Sequence, residues 1–233
     1  CRVRLMGGID SVPLGRATTG VESCLFCGQT NLVDDALRRT VSFENLIRRY
    51  TRCRSCGSRS LSPMPHESEL AALYTTEYFE GAEQDEPELE DPNAFRWVAD
   101  NLPGPQHGLF IDLGCGDGRL LRLIADLGYE VLGLEINKTA VMAAELASGC
   151  PVAIIDELPS FANQAGAVHL GDVLEHASSP EVVVRRALTL LRPGGLFLAQ
   201  GPLEANRSVF NFVLALVAVT RKSVPVSRPP YHV

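Results

Sequence analysis

The sequence lacks any apolar run near the ~18 residues that a membrane-spanning helix needs. The longest, Phe212 to Val219, reaches back to Val209 only by including Asn211, and it reads as a buried helix. The first twenty residues have no apolar stretch of the kind that a secretory leader carries. An even-numbered cysteine framework is also missing. The seven cysteines, at 1, 24, 27, 53, 56, 115 and 150, are an odd set without a leader, which argues against a secreted disulfide scaffold. A reducing cytoplasm and a metal site are the expectation instead. No internal repeat is visible.

Positive charge is absent from residues 60–95, which hold ten acids and no Lys or Arg, whereas residues 1–59 hold ten Arg against five acids. The formal net charge is −7. The basic segment reads as the solvated face of a small module, and the overall acidity argues against a nucleic-acid-binding protein. With 45% hydrophobic and 21% charged residues, the chain is an ordinary globular sequence rather than a disordered one. Its length suits one full domain plus a small appendage.

Four segments follow from patterning. Residues 1–23 are a lead-in without periodicity. Residues 24–60 carry two cysteine pairs. Residues 61–92 hold a short helix and an acidic, Pro-punctuated linker. From 93 the chain is a helix followed by alternating strands and helices. In that series GLFIDLG, EVLGLE, PVAII, AGAVHLG and LFLAQG are strands, and 118–127, 138–147 and 179–191 are helices. Alternation with short connections predicts an α/β, doubly wound, mainly parallel sheet.

Cys24-Leu25-Phe26-Cys27-Gly28 and Cys53-Arg54-Ser55-Cys56-Gly57 are two C-x-x-C-G knuckles with 25 residues between them. Together they supply the four thiolates of a closed tetrahedral site. Structural zinc is the expected occupant, with an iron site as the alternative. Such a site has no open position for chemistry, and a module this small needs the staple.

The second motif runs from Phe110 to Gly118, FIDLGCGDG: a strand, a Gly-rich turn, then a helix. Its spacing is D-x-G-x-G-x-G. The dinucleotide fingerprint would put its third Gly at 119, where Arg119 stands, and no Gly-Lys-Ser/Thr follows to make a phosphate loop. Asp112, Glu135, Asp156 and Asp172 fall at the carboxyl ends of four successive strands, where the ligand crevice of such a sheet lies. Four acids there repel a pyrophosphate and welcome a net cation. S-adenosylmethionine, with a sulfonium and an ammonium against one carboxylate, is such a ligand, and an acid at 135 suits its ribose diol. An NAD-dependent oxidoreductase and a non-catalytic zinc-ribbon adaptor on a degenerate enzyme domain are the competing readings.

Ile111 to Gly118, then Gly133-Leu134-Glu135, then Asp172-Val173-Leu174-Glu175-His176, then Leu191-Arg192-Pro193-Gly194-Gly195 resemble the successive motifs of class I S-adenosylmethionine-dependent methyltransferases. Within that family the chain resembles the group with an amino-terminal two-knuckle zinc module. The resemblance implies a Rossmann-like sheet in which Asp112, Gly114 and Gly116 hold the methionine part of the cofactor. It assigns Glu135 to the ribose, Asp156 to the adenine amine and Asp172 to the region near the sulfonium. Cys115, Gly118, Ile136 and Glu157 complete the implied cofactor set. The acceptor is expected to be a small molecule, such as the hydroxyl of a sugar or polysaccharide precursor. His176 is the candidate base. Asp172, Glu175 and His176 also resemble the divalent-ion site of some quinone and RNA-end methyltransferases. His66, His107 and His169 read as structural or surface residues.

The family sheet has seven strands, whereas five are counted here. The chain also begins with Cys and ends at Tyr231-His232-Val233. The expectation is a domain cut short at its carboxyl end, with strand LFLAQG at a sheet edge.

Overall fold

The computed structural model of the protein describes residues 23–35, 41–43, 46–71 and 92–201. The expected lead-in up to residue 22, the acidic segment 81–91, the apolar helix near 208–219 and the Tyr231-His232 end lie outside these residues. The described residues fall into two compact units, one drawn from 23–71 with 175–181, the other from 92–174 with 182–201.

The smaller unit is built on a long strand, β3 (Leu46–Cys53). It pairs antiparallel with β1 (Leu32–Asp34), β2 (Val41–Phe43) and β4 (Arg59–Ser62). Each cysteine knuckle is a tight turn closed the same way. Cys24 N–H donates to Gln29 O and Gly28 N–H to Cys24 O, while Cys53 N–H donates to Ser58 O and Gly57 N–H to Cys53 O. Gly28 and Gly57 stand at φ 70° and 83°, which a residue with a Cβ rarely adopts. Leu61 of β4 is fully buried. Helix α1 (Glu67–Ala71) follows β4.

The larger unit opens with α2 (Pro92–Asn101) and contains a five-stranded parallel sheet in the order β7-β6-β5-β8-β9. Its strands are β5 (Leu109–Leu113), β6 (Val131–Glu135), β7 (Val152–Ile154), β8 (Ala165–Gly171) and β9 (Leu191–Gln200). Its further helices are α3 (Arg119–Asp126), α4 (Lys138–Ser148) and α5 (Pro180–Leu190).

Strand alternation divides the core in two. Phe110, Val131, Ala167 and Leu198 face one side, with Val98 of α2, Leu120, Leu121 and Ile124 of α3, and Ala144 of α4. Ile111, Leu132, Leu134, Val168, Leu170 and Phe197 face the other, with Ala187 and Leu190 of α5. Both faces are therefore covered, as the apolar strand sequences require. In α3 the buried positions fall on one face, with Arg119 and Arg122 exposed. Each large apolar side chain buried there contributes about 1.5–3 kcal/mol. In α4 the buried face consists of the small residues Ala140, Ala144 and Ser148. That helix starts at Asn137, whose side-chain oxygen accepts Ala140 N–H at 2.9 Å, and stops at left-handed Gly149.

The fifth strand starts earlier than expected. β9 begins at Leu191, which pairs with Ala165, and the next pair is Ala167 with Leu196. Arg192 to Gly195 thus form a bulge inside the strand rather than a stop before it, and Gly194 takes φ 80° to make the turn. Two expected strand-end acids are also displaced. Asp156 lies in the 3₁₀ turn Ile155–Phe161 after β7, and Asp172 lies one residue past β8. No helix among the described residues is long and apolar enough to cross a membrane.

Candidate cofactor site and metal centre

The Gly-rich turn joins β5 to α3 along the carboxyl edge of the sheet. Gly114, Gly116 and Gly118 take φ of 80°, 57° and 74°. Gly118 caps α3 and packs so closely on α4 that a Cβ there would stand 2.7 Å from the Ser148 Cβ. A Cβ at Gly114 would meet Val173 Cγ2 at 2.6 Å, whereas one at Gly116 would meet nothing within 4 Å. The turn is therefore packed on both flanks and open at its centre.

Glu135 ends β6 and is buried. Its carboxylate accepts Gly116 N–H at 2.7 Å and Ile136 N–H at 3.1 Å. Burial raises its carboxyl above the ordinary range against these two N–H groups, and the charge of Asp112 adds to the rise. Asp112 is buried too, at 3% exposure, and is paired in register with Gly133 on β6 and with His169 on β8. Gly133 leaves room that Cys115 fills: a Cβ at 133 would stand 2.6 Å from the Cys115 Sγ. Burial and then the Glu135 and Asp112 carboxylates push the Cys115 thiol far up, so it packs as a neutral group.

Of the four acids expected to converge, Asp112 and Glu135 are the buried pair. Asp156, Glu157 and Asp172 are exposed, and Ile136 is 42% exposed. Asp172 takes φ 51°, and its N–H donates to Gln200 O at 3.1 Å, so the chain turns sharply off β8 there. His176 ends a 3₁₀ turn, Leu174–His176, and is half-buried. His169, expected to be a structural or surface residue, is buried beside Asp112. Its Nδ1 lies 2.7 Å from Asp112 Oδ1, and the pair is buried. The available signal was a single ionisable residue inside the apolar strand AGAVHLG.

In the smaller unit the four Sγ atoms of Cys24, Cys27, Cys53 and Cys56 lie within 4.8 Å of one another. Cys24 and Cys56, and likewise Cys27 and Cys53, are 3.6 Å apart. Four sulfurs at about 2.3 Å from a central ion stand roughly 3.8 Å apart, so the donor set fits a tetrahedral metal. Ser58, which the spacing of the knuckles did not single out, places its hydroxyl 3.1 Å from Cys24 Sγ and 3.0 Å from Cys56 Sγ. Burial opposes the Cys24 thiolate, but the Ser58 hydroxyl and the Phe26 N–H outweigh it and lower the thiol from its ordinary range. Among the described residues, these cysteines form the one group of three or more His, Cys, Asp or Glu side chains close enough to share an ion. Asp172, Glu175 and His176 do not make a second.

Residues 111–199 match the family model described as a methyltransferase domain. A ubiquinone biosynthesis O-methyltransferase of Burkholderia thailandensis is 31% identical over 166 residues, covering 66% of this chain and 68% of that relative. The chain belongs to the class I S-adenosylmethionine-dependent methyltransferases. A relative of the same description from Chromobacterium violaceum is 34% identical over 115 residues, covering 46% of this chain and 48% of its own length. The chain thus spans about half the length of several curated relatives that it matches. A solved methyltransferase from Archaeoglobus fulgidus aligns with a TM-score of 0.46 at 20% identity, covering 64% of this chain and 67% of that one. Within the methyltransferase fold, the Gly-rich turn and Glu135 lie at the carboxyl ends of adjacent strands, where ligands of doubly wound sheets bind.

Proposed function

We propose that this protein transfers a methyl group from S-adenosylmethionine to a hydroxyl of a small molecule. The observation that carries the reading is the Glu135 carboxylate, buried at the end of β6 and turned onto the Gly116 N–H at the open centre of the Gly turn. An acid there accepts two ribose hydroxyls, and the open space over Gly116 lets a ligand approach the backbone. Asp112 beside it favours a cationic ligand over a pyrophosphate.

The bound cofactor supplies a methyl group activated by an adjacent sulfonium. The protein's share is proximity and orientation. In this reading Asp112, Gly114 and Gly116 hold the amino-acid part. Glu135 holds the ribose with Ile136 against the base. Asp156 and Glu157 reach the adenine edge, and Asp172 lines the sulfonium region. Cys115 and Gly118 keep the turn in shape by packing on Gly133 and α4. His176, five residues past the end of β8, takes the acceptor's proton. The relatives described as O-methyltransferases support a small hydroxylated acceptor. A sugar or polysaccharide precursor is one class to be screened. Cys24, Cys27, Cys53 and Cys56 hold a structural zinc ion that supplies cross-linking of the two knuckles and no chemistry.

Calorimetry of the chain with S-adenosylhomocysteine and with NAD tests the reading. Binding of the first and not of the second is expected. NAD binding alone would reject it.

A further inference from the structure

Among the described residues of the larger unit, one buried side-chain polar atom lacks a partner. His169 is 2% exposed, and its Nε2 has no hydrogen-bond partner. Leaving such a group unpaired is costly, so a native site normally supplies a partner.

Three features fix how the ring sits. Asp112 and His169 are paired in register on adjacent parallel strands, so both side chains leave the sheet on the same face. Nδ1 reaches Asp112 Oδ1 at 2.7 Å. The ring stacks on Phe110, with centroids 6.4 Å apart at 20°. Its far edge leans toward Gly171, two residues on and on the same face. A Cβ at 171 would stand 2.7 Å from the imidazole Cε1 and 3.4 Å from Nε2. The glycine therefore makes room for the ring, and Nε2 is carried toward the carboxyl end of β8. That is the edge on which Asp112, Glu135 and the Gly turn also lie.

The chemistry of the free nitrogen follows from the bound one. Where the Asp112 carboxylate only accepts, Nδ1 carries the shared proton. In the neutral ring Nε2 is then an acceptor. Leu198, the neighbour in register on β9, offers no side-chain donor. The partner that fits such a ring is a donor, and a carboxylate beside it favours a cationic one.

We propose that His169 contacts the cofactor, its Nδ1–H fixing Asp112 and its Nε2 accepting a hydrogen bond from the ammonium of the cofactor's amino-acid part. This rests on the cofactor reading given above. Asp112 and His169 then act together as a recognition pair for an ammonium group, an assignment to which the family motifs do not extend.

The test compares two ligands on the same protein. S-adenosylhomocysteine carries the ammonium, whereas 5′-methylthioadenosine keeps the adenine, ribose and sulfur without it. His169→Asn places an amide N–H where Nδ1 stood and removes Nε2. It is expected to weaken S-adenosylhomocysteine by about tenfold, the loss of one hydrogen bond to a charged group, and to leave 5′-methylthioadenosine within about twofold. His169→Phe, which loses both nitrogens, should widen the gap between the two ligands. The ratio of the affinities does not depend on the fraction of protein folded, so a destabilised variant still reports. Equal loss for the two ligands, or no loss for either, overturns the proposal and leaves the cofactor reading standing. Failure of the unsubstituted chain to bind either ligand removes both.

Discussion

The carboxylate of Glu135 holds the N–H of Gly116 at 2.7 Å, tying the end of β6 to the centre of the Gly-rich turn. The same carboxylate is the one proposed to bind the ribose, so it is held ready by the turn that it serves. Its raised carboxyl, caused first by burial and then by Asp112, sets the sign of its effect on stability. An acid whose folded value lies above its unfolded one costs stability where it is charged. The cost fades as the pH falls through the folded value toward the unfolded one. Glu135→Gln is therefore expected to melt at or above the parent at pH 8, with the difference closing near pH 4. The same variant should bind S-adenosylhomocysteine about 10–100-fold more weakly, because a neutral amide replaces a charged acceptor. Paired melting curves and calorimetry would show it. A variant less stable at pH 8 with unchanged affinity would contradict both halves.

The two glycines of the turn should separate folding from binding. At Gly114 a methyl group meets both φ 80° and Val173 Cγ2 at 2.6 Å. Gly114→Ala is expected to cost about 2–4 kcal/mol, the sum of left-handed strain and overpacking. At Gly116 the methyl meets no atom within 4 Å and φ is 57°. Gly116→Ala should cost only about 1–2 kcal/mol. It should nevertheless lose at least tenfold in cofactor affinity, since the methyl occupies the space over the turn. Denaturant melts with and without S-adenosylhomocysteine distinguish the two. Equal losses of stability would mean that Val173 yields freely.

Much of this was legible in the sequence. Alternating apolar strands and one-faced helices define the parallel sheet, and β8 has the limits that its composition suggested. The cysteine knuckles announce their own convergence. The Arg192 to Gly195 bulge was not legible, because Pro-Gly-Gly signals a break and only the neighbouring strand shows that pairing resumes on both sides. Asp156 and Asp172 look equivalent to Asp112 and Glu135 in a linear pattern. Their exposure depends on where each short strand stops, and that is set by pairing rather than composition. The pairing of His169 with Asp112 was not legible either, because the two are 57 residues apart, across a register that a single strand cannot specify.

Arg48 of β3 is buried at 3% exposure, and its Nη2 donates to Glu69 Oε1 at 2.7 Å. The other oxygen of Glu69 accepts His66 N–H at 2.6 Å, closing the first turn of α1 as a capping box does. The His66 N–H first and Arg48 second hold the Glu69 carboxyl below its ordinary range. A depressed acid contributes stability above its unfolded value and loses it as the pH falls through the folded one. Glu69→Gln should thus destabilise the smaller unit by about 1–2 kcal/mol at pH 7, modest because Glu69 is partly solvated. The difference from the parent should shrink as the pH falls below the ordinary carboxylate range. A difference independent of pH would locate the effect in packing rather than charge.

The four sulfurs predict one zinc ion per chain, measurable by elemental analysis of protein never exposed to chelator. Cys24 and Cys53 are the buried members, and Cys27 and Cys56 the exposed ones. Because a tetrahedral site needs all four, Cys27→Ser is expected to lose the metal as fully as Cys53→Ser despite its exposure. Four-stranded though it is, the smaller unit has few large buried side chains among its described residues, so a bound metal would supply much of its folding free energy. In small zinc modules that contribution is about 10–16 kcal/mol at pH 7. Chelation should therefore melt β1 to β4, visible as lost amide protection in 46–62. Stabilisation of the parallel-sheet unit by S-adenosylhomocysteine should persist, since its cores are built from its own residues. Retained protection in the knuckle strands after complete zinc removal would show that these strands hold without the ion, and the structural role assigned to the metal would fall.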